Sequence, residues 1–446
     1  MSCTLIKNVK IINENKILES DILIDNTYIK KIANSISAEH NWSIIDGEGK
    51  YIMPGIIDDQ VHFREPGLTY KADIYSESRA ALAGGITSFM EMPNTNPQTI
   101  NQDFLNDKLY IAKQKSFVNY SFFGGVTNTN YDDVMRFDKT QIPGIKIFMG
   151  SSTGDMLVDN DKILDKLFKN SPFLIATHCE DEETIKNNIK KYSAVYGEDI
   201  PLDLHPVIRN HEACYKSSSF AVGLAKKYNT RLHILHISTK KELDLFDSGD
   251  IREKRITSEA CTHHLYFSSS NNLYQTKGSF IKWNPAIKSE EDRLALVQAV
   301  IDNKIDVVAS DHAPHTLEEK QNKYLRCPSG GPMVQHTFNV MLSLIESGFS
   351  LESIITKMCH NPAICFNVNN RGFIREGYFA DLVLFDYEKK YLVEKNNILY
   401  KCGWSPVENI EFKGVITHVF VNGNLAFDNG NISKNREVFP LKFNIS

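Results

Sequence analysis

Residues 53–67, MPGIIDDQVHFREPG, decide the fold class of this chain. A strand candidate at 54–62 begins with apolar residues and ends on His62, and the turn-forming Pro66 and Gly67 follow it. A short strand bounded in this way is typical of a parallel sheet that is buried on both faces. The stretch therefore predicts a buried strand with a chemically competent side chain at its carboxyl end.

Seven further strand candidates follow, separated by amphipathic stretches that resemble helices. They lie at 86–92, 118–126, 145–149, 173–178, 231–236, 256–261 and 305–310. Eight strands that alternate with helices over roughly 260 residues match the size of a (β/α)₈ barrel. An open doubly wound parallel sheet is the alternative, because a strand count alone does not separate the two folds. The positions of the reactive residues favour the barrel.

The two ends of the chain have a different pattern. Short β-like runs occur at 4–12 and 17–24, and β character returns at 380–386, 415–422 and 425–427. We therefore predict an α/β protein with two parts: a TIM-like barrel at 53–364, and a small composite β-sandwich domain built from 1–52 and 365–446.

Composition narrows the class of partner. The 446 residues are 42% hydrophobic and 24% charged, which is typical of a globular protein. Fifty Lys and Arg against 55 Asp and Glu give a net charge of −5 without a basic block, so we expect no nucleic-acid partner. No apolar run approaches the ~18 residues of a membrane span, and the eight cysteines form no C-x-x-C pair. We expect a cytoplasmic protein with reduced thiols and a small-molecule substrate, with a homodimer as the candidate assembly.

Polar side chains stand at the ends of most strand candidates. They are His62, Asn94, Lys146, His178, His236, Glu259 with His263, and Asp311. Because the active site of a barrel lies at the carboxyl ends of its strands, we expect these residues to converge on one cup. Three imidazoles, an aspartate and a lysine suit a hydrolytic zinc site that keeps one position open for water. His233 lies three residues before His236 and should point to the opposite side of its strand, so we assign it a structural role.

Lys146 is an unusual member of this set, because an ammonium group repels a cation. A buried lysine with a lowered pKa can react with carbon dioxide to give a carbamate, which is anionic and can bridge two metals. The alternative is that Lys146 forms an ion pair or interacts with a helix dipole.

Asp311 and Arg64 suggest individual roles. Asp311 closes the last strand; it can bind a metal, take the proton of the attacking water and return it to the leaving nitrogen. The planar guanidinium of Arg64, two residues after His62, suits a substrate carboxylate. The sequence GSSTG at 150–154 formally matches the nucleophile elbow of serine hydrolases. No helix-forming sequence follows it, so we do not expect Ser152 to be a nucleophile.

Several ordered motifs resemble those of the dihydroorotases, which are cyclic amidohydrolases of pyrimidine biosynthesis. The motifs are MPGIID at 53–58, HFREPG at 62–67, MPNT at 92–95, THCE at 177–180, HIST at 236–239 and DHAPH at 311–315. The resemblance extends from about residue 50 to GYFADL at 377–382. REPG at 64–67 and PNT at 93–95 favour dihydroorotases over related enzymes.

This resemblance implies a zinc-dependent, reversible closure of N-carbamoyl-L-aspartate to dihydroorotate. It implies two zinc ions, one held by His178 and His236, the other by His62 and Asp311, with carboxylated Lys146 between them. It further implies that the substrate carboxylate is bound by Arg64, Asn94 and His315, and that Asn284 contacts the ring.

Position 60 departs from the family pattern. The family has H-x-H, whereas this chain has Gln60-Val61-His62, so a neutral amide replaces one imidazole. An amide oxygen is a much poorer zinc donor than an imidazole. We therefore expect one zinc ion to bind tightly and the second to bind weakly or not at all.

Three interpretations stay open: an active dihydroorotase, a related enzyme acting on a hydantoin, allantoin or dihydropyrimidine ring, and a catalytically silent partner of an enzyme such as aspartate transcarbamoylase. Arg64, Asn94 and His315 favour the first over the second, because an uncharged ring needs no carboxylate clamp. Lys146, His178, His236 and Asp311 are intact, which argues against the third, and only Gln60 favours it.

Overall fold

The computed structural model of the chain describes residues 3–150 and 156–444. Ser152, the residue in the nucleophile-elbow motif, lies outside these ranges. The amino-terminal strands are β1 (Cys3–Asn13), β2 (Lys16–Asp25), β3 (Tyr28–Ala33), β4 (Ser43–Asp46) and β5 (Tyr51–Pro54).

Next come the strands of the barrel: β6 (Ile56–Val61), β7 (Ile86–Glu91), β8 (Asn119–Phe122), β9 (Gly124–Gly125), β10 (Ile145–Phe148), β11 (Ile175–His178), β12 (Leu232–Ile234), β13 (Ile256–Cys261) and β14 (Val307–Ala309). The carboxyl-terminal strands are β15 (Leu382–Leu392), β16 (Glu411–Val421), β17 (Asn424–Asp428) and β18 (Asn431–Ile432).

Strands β6 to β14 form a closed ring. Strands β6, β7 and β8 pair in parallel, and so do β9 to β14. Only Phe123 separates β8 from β9, and its N–H donates to Glu91 O at 3.0 Å, so the two segments act as one strand of the ring. The ring closes where Val61 pairs in parallel with His312, and His62 N donates to His312 O at 2.7 Å. This closure confirms the predicted eight-stranded barrel, and the open-sheet alternative is wrong.

Continuous burial explains why these segments are strands. Every residue of β6, β7, β8 and β10 is buried. Such strands have no polar face, because helices cover the outside of the barrel and side chains fill its interior.

The α-helices that surround the ring and connect its strands are α1 (Ile74–Ala83), α2 (Gln102–Lys115), α3 (Tyr131–Val134), α4 (Asp161–Asn170), α5 (Glu182–Tyr196), α6 (His205–Ile208), α7 (His211–Tyr228), α8 (Thr262–Tyr266), α9 (Leu273–Lys277), α10 (Glu290–Ile301), α11 (Leu317–Lys320), α12 (Thr337–Ser343), α13 (Leu351–Ile355) and α14 (Asn361–Cys365).

Side-chain caps define where several of these helices begin. Asp73 accepts from Ser76 N before α1, and Ser289 accepts from Asp292 N before α10, so each satisfies a backbone donor of the first turn. No helix in the described residues is long and apolar enough to cross a membrane.

The remaining strands form a second sheet in the order β18-β17-β16-β15-β5-β1-β2-β3, with β4 on β1. Its two halves come from opposite ends of the chain and join where β5 pairs antiparallel with β15, from Leu382 opposite Pro54 to Phe385 opposite Tyr51. The structure therefore contains the predicted sheet domain built from both termini, with its nine strands in one hydrogen-bonded sheet. The exact boundaries at 52/53 and 364/365 stay predictions.

Candidate active site

Four of the five predicted metal ligands lie at or just past the carboxyl ends of barrel strands, and the fifth, Lys146, lies within its strand. His62 directly follows β6, Lys146 is the second residue of β10, His178 ends β11, and His236 and Asp311 each follow two residues after β12 and β14. All five side chains are buried. The ring of strands therefore brings together residues that are far apart in sequence.

His178 and His236 face each other. His178 Nδ1 lies 3.0 Å from His236 Nε2, and the ring planes cross at 80°. Ligand atoms of a tetrahedral zinc ion lie about 3.3 Å apart, because each Zn–N bond is about 2.0–2.1 Å. The two nitrogens are therefore close to the spacing that a shared zinc ion requires.

Outer residues orient the His178 ring. Glu180 Oε2 lies 3.1 Å from His178 Nε2, which favours the tautomer that carries its proton on Nε2 and directs the Nδ1 lone pair at His236. Burial alone would raise the pKa of Glu180, but the Arg209 guanidinium and His178 lower it to about 2. Glu180 is therefore a carboxylate, as this orienting role requires.

Gln60, His62 and Asp311 form the other half of the site. Gln60 Nε2 donates to Asp311 Oδ1 at 3.1 Å, and His62 Nε2 lies 3.5 Å from the same oxygen. In this orientation the amide presents a hydrogen to the carboxylate, while its oxygen faces Cys261 Sγ at 3.8 Å. An N–H group has no lone pair for a metal, so this half has fewer donors than the His178 half.

Asn94 contacts a predicted metal ligand directly. Its Oδ1 lies 2.9 Å from His62 Nδ1, so that nitrogen carries a proton and donates it, which leaves the Nε2 lone pair facing Asp311. The resemblance gave Asn94 a role in carboxylate binding, but its oxygen is already used for His62. The amide nitrogen is the end of Asn94 that can donate to a carboxylate.

Lys146 lies near enough to both halves for its charge to act on His178 and on Asp311. Burial lowers its pKa to about 7, and Glu259 and Asp311 oppose this shift. Burial also raises the pKa of Asp311 to about 7, and the nearby positive charge of Lys146 is the main opposing effect. A lysine that is partly neutral near pH 7 has the free amine that reaction with carbon dioxide needs.

Arg64 and His315 form a second cluster beside the first. Arg64 is buried; its Nε donates to Pro314 O at 3.2 Å, and its Nη2 lies 3.2 Å from His315 Nε2. Lys71 Nζ lies 3.0 Å from His315 Nδ1, and Ser329 O lies 3.0 Å from His315 Nε2. These partners assign Nδ1 as the acceptor and Nε2–H as a donor to Ser329 O, so the Arg64 fork has no acceptor on His315.

Three site residues have left-handed backbones: Arg64 (φ 68°), His236 (φ 41°) and Asp311 (φ 44°). Residues other than glycine seldom adopt this region, and when they do the conformation is often found at functional sites. The sharp change of direction after each strand is what aims these side chains into the cup.

Asn284 is half-buried, and none of the other predicted site residues hydrogen bonds to it in the described part of the chain. Its Oδ1 atom is buried without a hydrogen-bond partner there, so it can accept one from a ligand.

Sequence reasoning missed Lys71 and Glu319. Lys71 Nζ pairs with Glu319 Oε1 at 2.7 Å while it contacts His315, so the two residues position the predicted substrate binder. The capping box that begins α11, in which Thr316 and Glu319 hydrogen bond reciprocally, signals the start of the helix but not the contact with His315.

Comparison with known proteins identifies the class. The amidohydrolase family model matches residues 51–426. A solved structure of L-hydantoinase (dihydropyrimidinase) from Arthrobacter aurescens shares the fold with a TM-score of 0.91 and 23% identity, and covers 98% of this chain and 99% of that one. The chain belongs to the amidohydrolase family, whose members are metal-dependent hydrolases.

Two relatives are dihydroorotases. The enzyme of Methanosarcina acetivorans is 31% identical over 418 residues, which are 91% of this chain and 88% of that protein. The enzyme of Methanosphaera stadtmanae is 31% identical over 453 residues, which are 97% of this chain and 98% of that protein. These similarities confirm the relationship that the motifs predicted.

Proposed function

We propose that the chain is a zinc-dependent dihydroorotase of de novo UMP synthesis. It would open the cyclic amide of (S)-dihydroorotate to N-carbamoyl-L-aspartate and catalyse the reverse ring closure. The observation that supports this substrate best is the buried guanidinium of Arg64, which no carboxylate in the described residues contacts directly.

No carboxylate oxygen lies within 4.0 Å of the Arg64 guanidinium among residues 3–150 and 156–444. Burial lowers the pKa of Arg64 only to about 10, so the group is charged at neutral pH. A buried charge without a carboxylate in direct contact is costly, and an anionic ligand offsets that cost. Dihydroorotate carries a carboxylate, whereas hydantoin and dihydropyrimidine rings do not.

The donor set fits the metal of this proposal. His178, His236 and Lys146, the last as its carbamate, would hold the tight zinc ion, and His62, Asp311 and the same carbamate would hold the weak one. The buried atom His236 Nδ1 has no hydrogen-bond partner in the described residues, and the facing atoms His178 Nδ1 and His236 Nε2 have the spacing of ligands. Bound zinc would polarise the amide carbonyl and lower the pKa of water towards ~7.

Asp311 would move the proton. Its carboxylate takes one from the attacking water and returns it to the ring nitrogen that leaves as the amide bond breaks. The hydrogen bond from Gln60 Nε2 holds the carboxylate towards the site.

Arg64 would bind the substrate carboxylate through its fork, with Asn94 and His315 beside it, and Asn284 would accept a hydrogen bond from the ring. A homodimer and a cytoplasmic location also belong to this proposal, the latter on the eight cysteines, which form no disulfide.

An assay with zinc-loaded protein tests the proposal. We expect hydrolysis of dihydroorotate and cyclisation of N-carbamoyl-L-aspartate, with little turnover of hydantoin, allantoin or dihydrouracil. Preferred turnover of an uncharged ring would make it a related cyclic amidohydrolase instead. A folded, metal-bound protein that turns over none of these compounds would support the silent-partner interpretation.

A further inference from the structure

Three polar side chains face one another in the interior of the barrel. They are Asp59 on β6, His233 on β12 and Glu259 on β13, and each has no exposed surface. Sequence analysis assigned His233 a structural role away from the metal ligands. Instead, it lies between two carboxylates that come from different strands.

The distances within this cluster are unusual. His233 Nε2 lies 3.6 Å from Asp59 Oδ2 and 3.6 Å from Glu259 Oε2. These separations are too long for hydrogen bonds. Within the described residues, His233 Nε2, Glu259 Oε2 and both carboxylate oxygens of Asp59 have no hydrogen-bond partner. Buried polar atoms without hydrogen-bond partners are rare, and a cation placed among them would satisfy all of them.

Thr257 defines which nitrogen of His233 faces the carboxylates. The Thr257 hydroxyl donates to Leu232 O at 3.3 Å, so its oxygen accepts from His233 Nδ1–H at 2.8 Å. Metal-binding histidines commonly have the second ring nitrogen held by an outer group in this way. His233 Nε2 is therefore the ring nitrogen that faces the two carboxylates.

We propose that Asp59, His233 and Glu259 bind a divalent transition-metal cation at a site separate from the proposed catalytic centre. With bonds of about 2.0–2.2 Å, the nitrogen and oxygen ligands of a tetrahedral ion lie about 3.3–3.6 Å apart, which matches the two distances from His233 to the carboxylates. The two carboxylates supply charge to neutralise the ion, and the second oxygen of Asp59 offers a fourth donor. Imidazole coordination and full burial disfavour Mg²⁺, which retains several waters.

The cluster also touches the proposed catalytic centre through Glu259. Its other oxygen, Oε1, accepts from His236 N at 3.2 Å and from the Cys261 thiol at 3.4 Å. A cation on Oε2 therefore fixes the carboxylate that holds the backbone of His236. The cation has a positioning role there and does not meet the substrate.

Zinc alone is the probe for this site. Full-length protein is produced in zinc-supplemented medium, so that the buried site can fill during folding, and is crystallised. Anomalous diffraction at the zinc edge should show a peak enclosed by Asp59, His233 and Glu259, apart from the peak beside His178 and His236. Crystals with a peak beside His178 and no peak in the cluster would overturn the proposal.

Metal analysis of variants gives a second measurement. Asp59→Asn should lose about one metal equivalent per chain, whereas Glu242→Gln should lose none. Glu242 is the matched control, because it is also a buried carboxylate but is held by the Ser218 and Thr239 hydroxyls. Folded Asp59→Asn protein with unchanged metal content would contradict the proposal; if this variant does not fold, the diffraction result on the natural sequence decides. If the natural protein does not turn over dihydroorotate, the proposed function is wrong, but the proposed metal site at Asp59, His233 and Glu259 is unaffected.

Discussion

The two halves of the proposed catalytic centre differ in what faces the metal position. In one half two imidazole nitrogens, on His178 and His236, approach to 3.0 Å. In the other half the Asp311 carboxylate accepts a hydrogen bond from the Gln60 amide, and His62 is the only imidazole. A side-chain hydrogen bond holds each half together, but the first half presents two imidazoles, whereas the second presents one imidazole, a carboxylate and an amide N–H.

Outer contacts are nevertheless present in both halves. Glu180 orients His178, and Asn94 orients His62 by accepting from its Nδ1–H. The departure in the sequence is thus confined to one ligand position, and the residues that aim the remaining ligands are in place. This comparison predicts one weakened metal position in an otherwise complete site.

The largest expected effect tests whether the weaker half still performs chemistry. Asp311→Asn removes the proposed proton carrier, so kcat should fall by about 100- to 10,000-fold, the usual contribution of general acid–base catalysis. Metal held by His178 and His236 should remain. Steady-state kinetics and metal analysis on the same sample measure both quantities, and an activity within tenfold of the natural enzyme would show that Asp311 does not carry the proton.

Arg64→Lys should have the next largest effect. The charge survives but one contact of the fork is lost, so transition-state stabilisation should fall by about 1.5–3 kcal/mol. This loss corresponds to a kcat/KM that is roughly tenfold to more than a hundredfold lower. Metal content in both halves should stay the same. Arg252→Lys is the control, because Arg252 is exposed and pairs with its neighbour Asp250. Natural kinetics in the Arg64 variant would mean that Arg64 does not clamp the carboxylate.

A pair of variants in the outer contacts compares the halves directly. Asn94→Ala removes the acceptor of His62 Nδ1–H and should weaken the second metal by about 10- to 100-fold, while the tight metal is unchanged. Glu180→Gln should weaken the tight metal and leave the second metal unchanged, because Glu180 orients His178. Zinc titrations against a competing chelator measure both affinities. Equal weakening of both metals by either variant would show that the halves are not independent.

The sequence predicted the barrel because its strands are buried and separated by helices at regular intervals. It also predicted that His62, His178, His236 and Asp311 lie at or just past the carboxyl ends of their strands, which the structure shows; their role as metal ligands stays a prediction. It was less successful at deciding where side chains point. The interpretation of His233 assumed a regular strand through His236, but β12 covers only Leu232–Ile234 and the backbone turns at His236 (φ 41°). Residues three apart then both face the interior.

Asp59 was missed for a related reason. The pairing of β6 with β7 is irregular between Asp58 and Val61, so Asp59 and Gln60 both reach the interior although they are neighbours. Alternation along an ideal strand would have placed one of them outside. Lys71 and Glu319 lie beyond the strands, and their contact with His315 depends on tertiary packing that no local pattern records.

The smallest expected effect is the one that bears most directly on the comparison. Gln60→His replaces an amide that presents N–H to Asp311 with an imidazole, so it should raise the occupancy of the second zinc ion severalfold and leave the tight one unchanged. Gln60→Asn, which keeps the amide, should leave the occupancy of the second zinc ion unchanged.

In the natural protein, zinc titration should show one tight and one weak ion at the catalytic centre. The tight site keeps both imidazoles, on His178 and His236, whereas His62 stands beside an amide at position 60 instead of a second imidazole. The rate need not rise in proportion, since a single zinc ion already supplies hydroxide near neutral pH. If the two ions bind with equal affinity, or if Gln60→His changes neither occupancy nor rate, then residue 60 does not belong to the metal site and the two halves are equivalent after all.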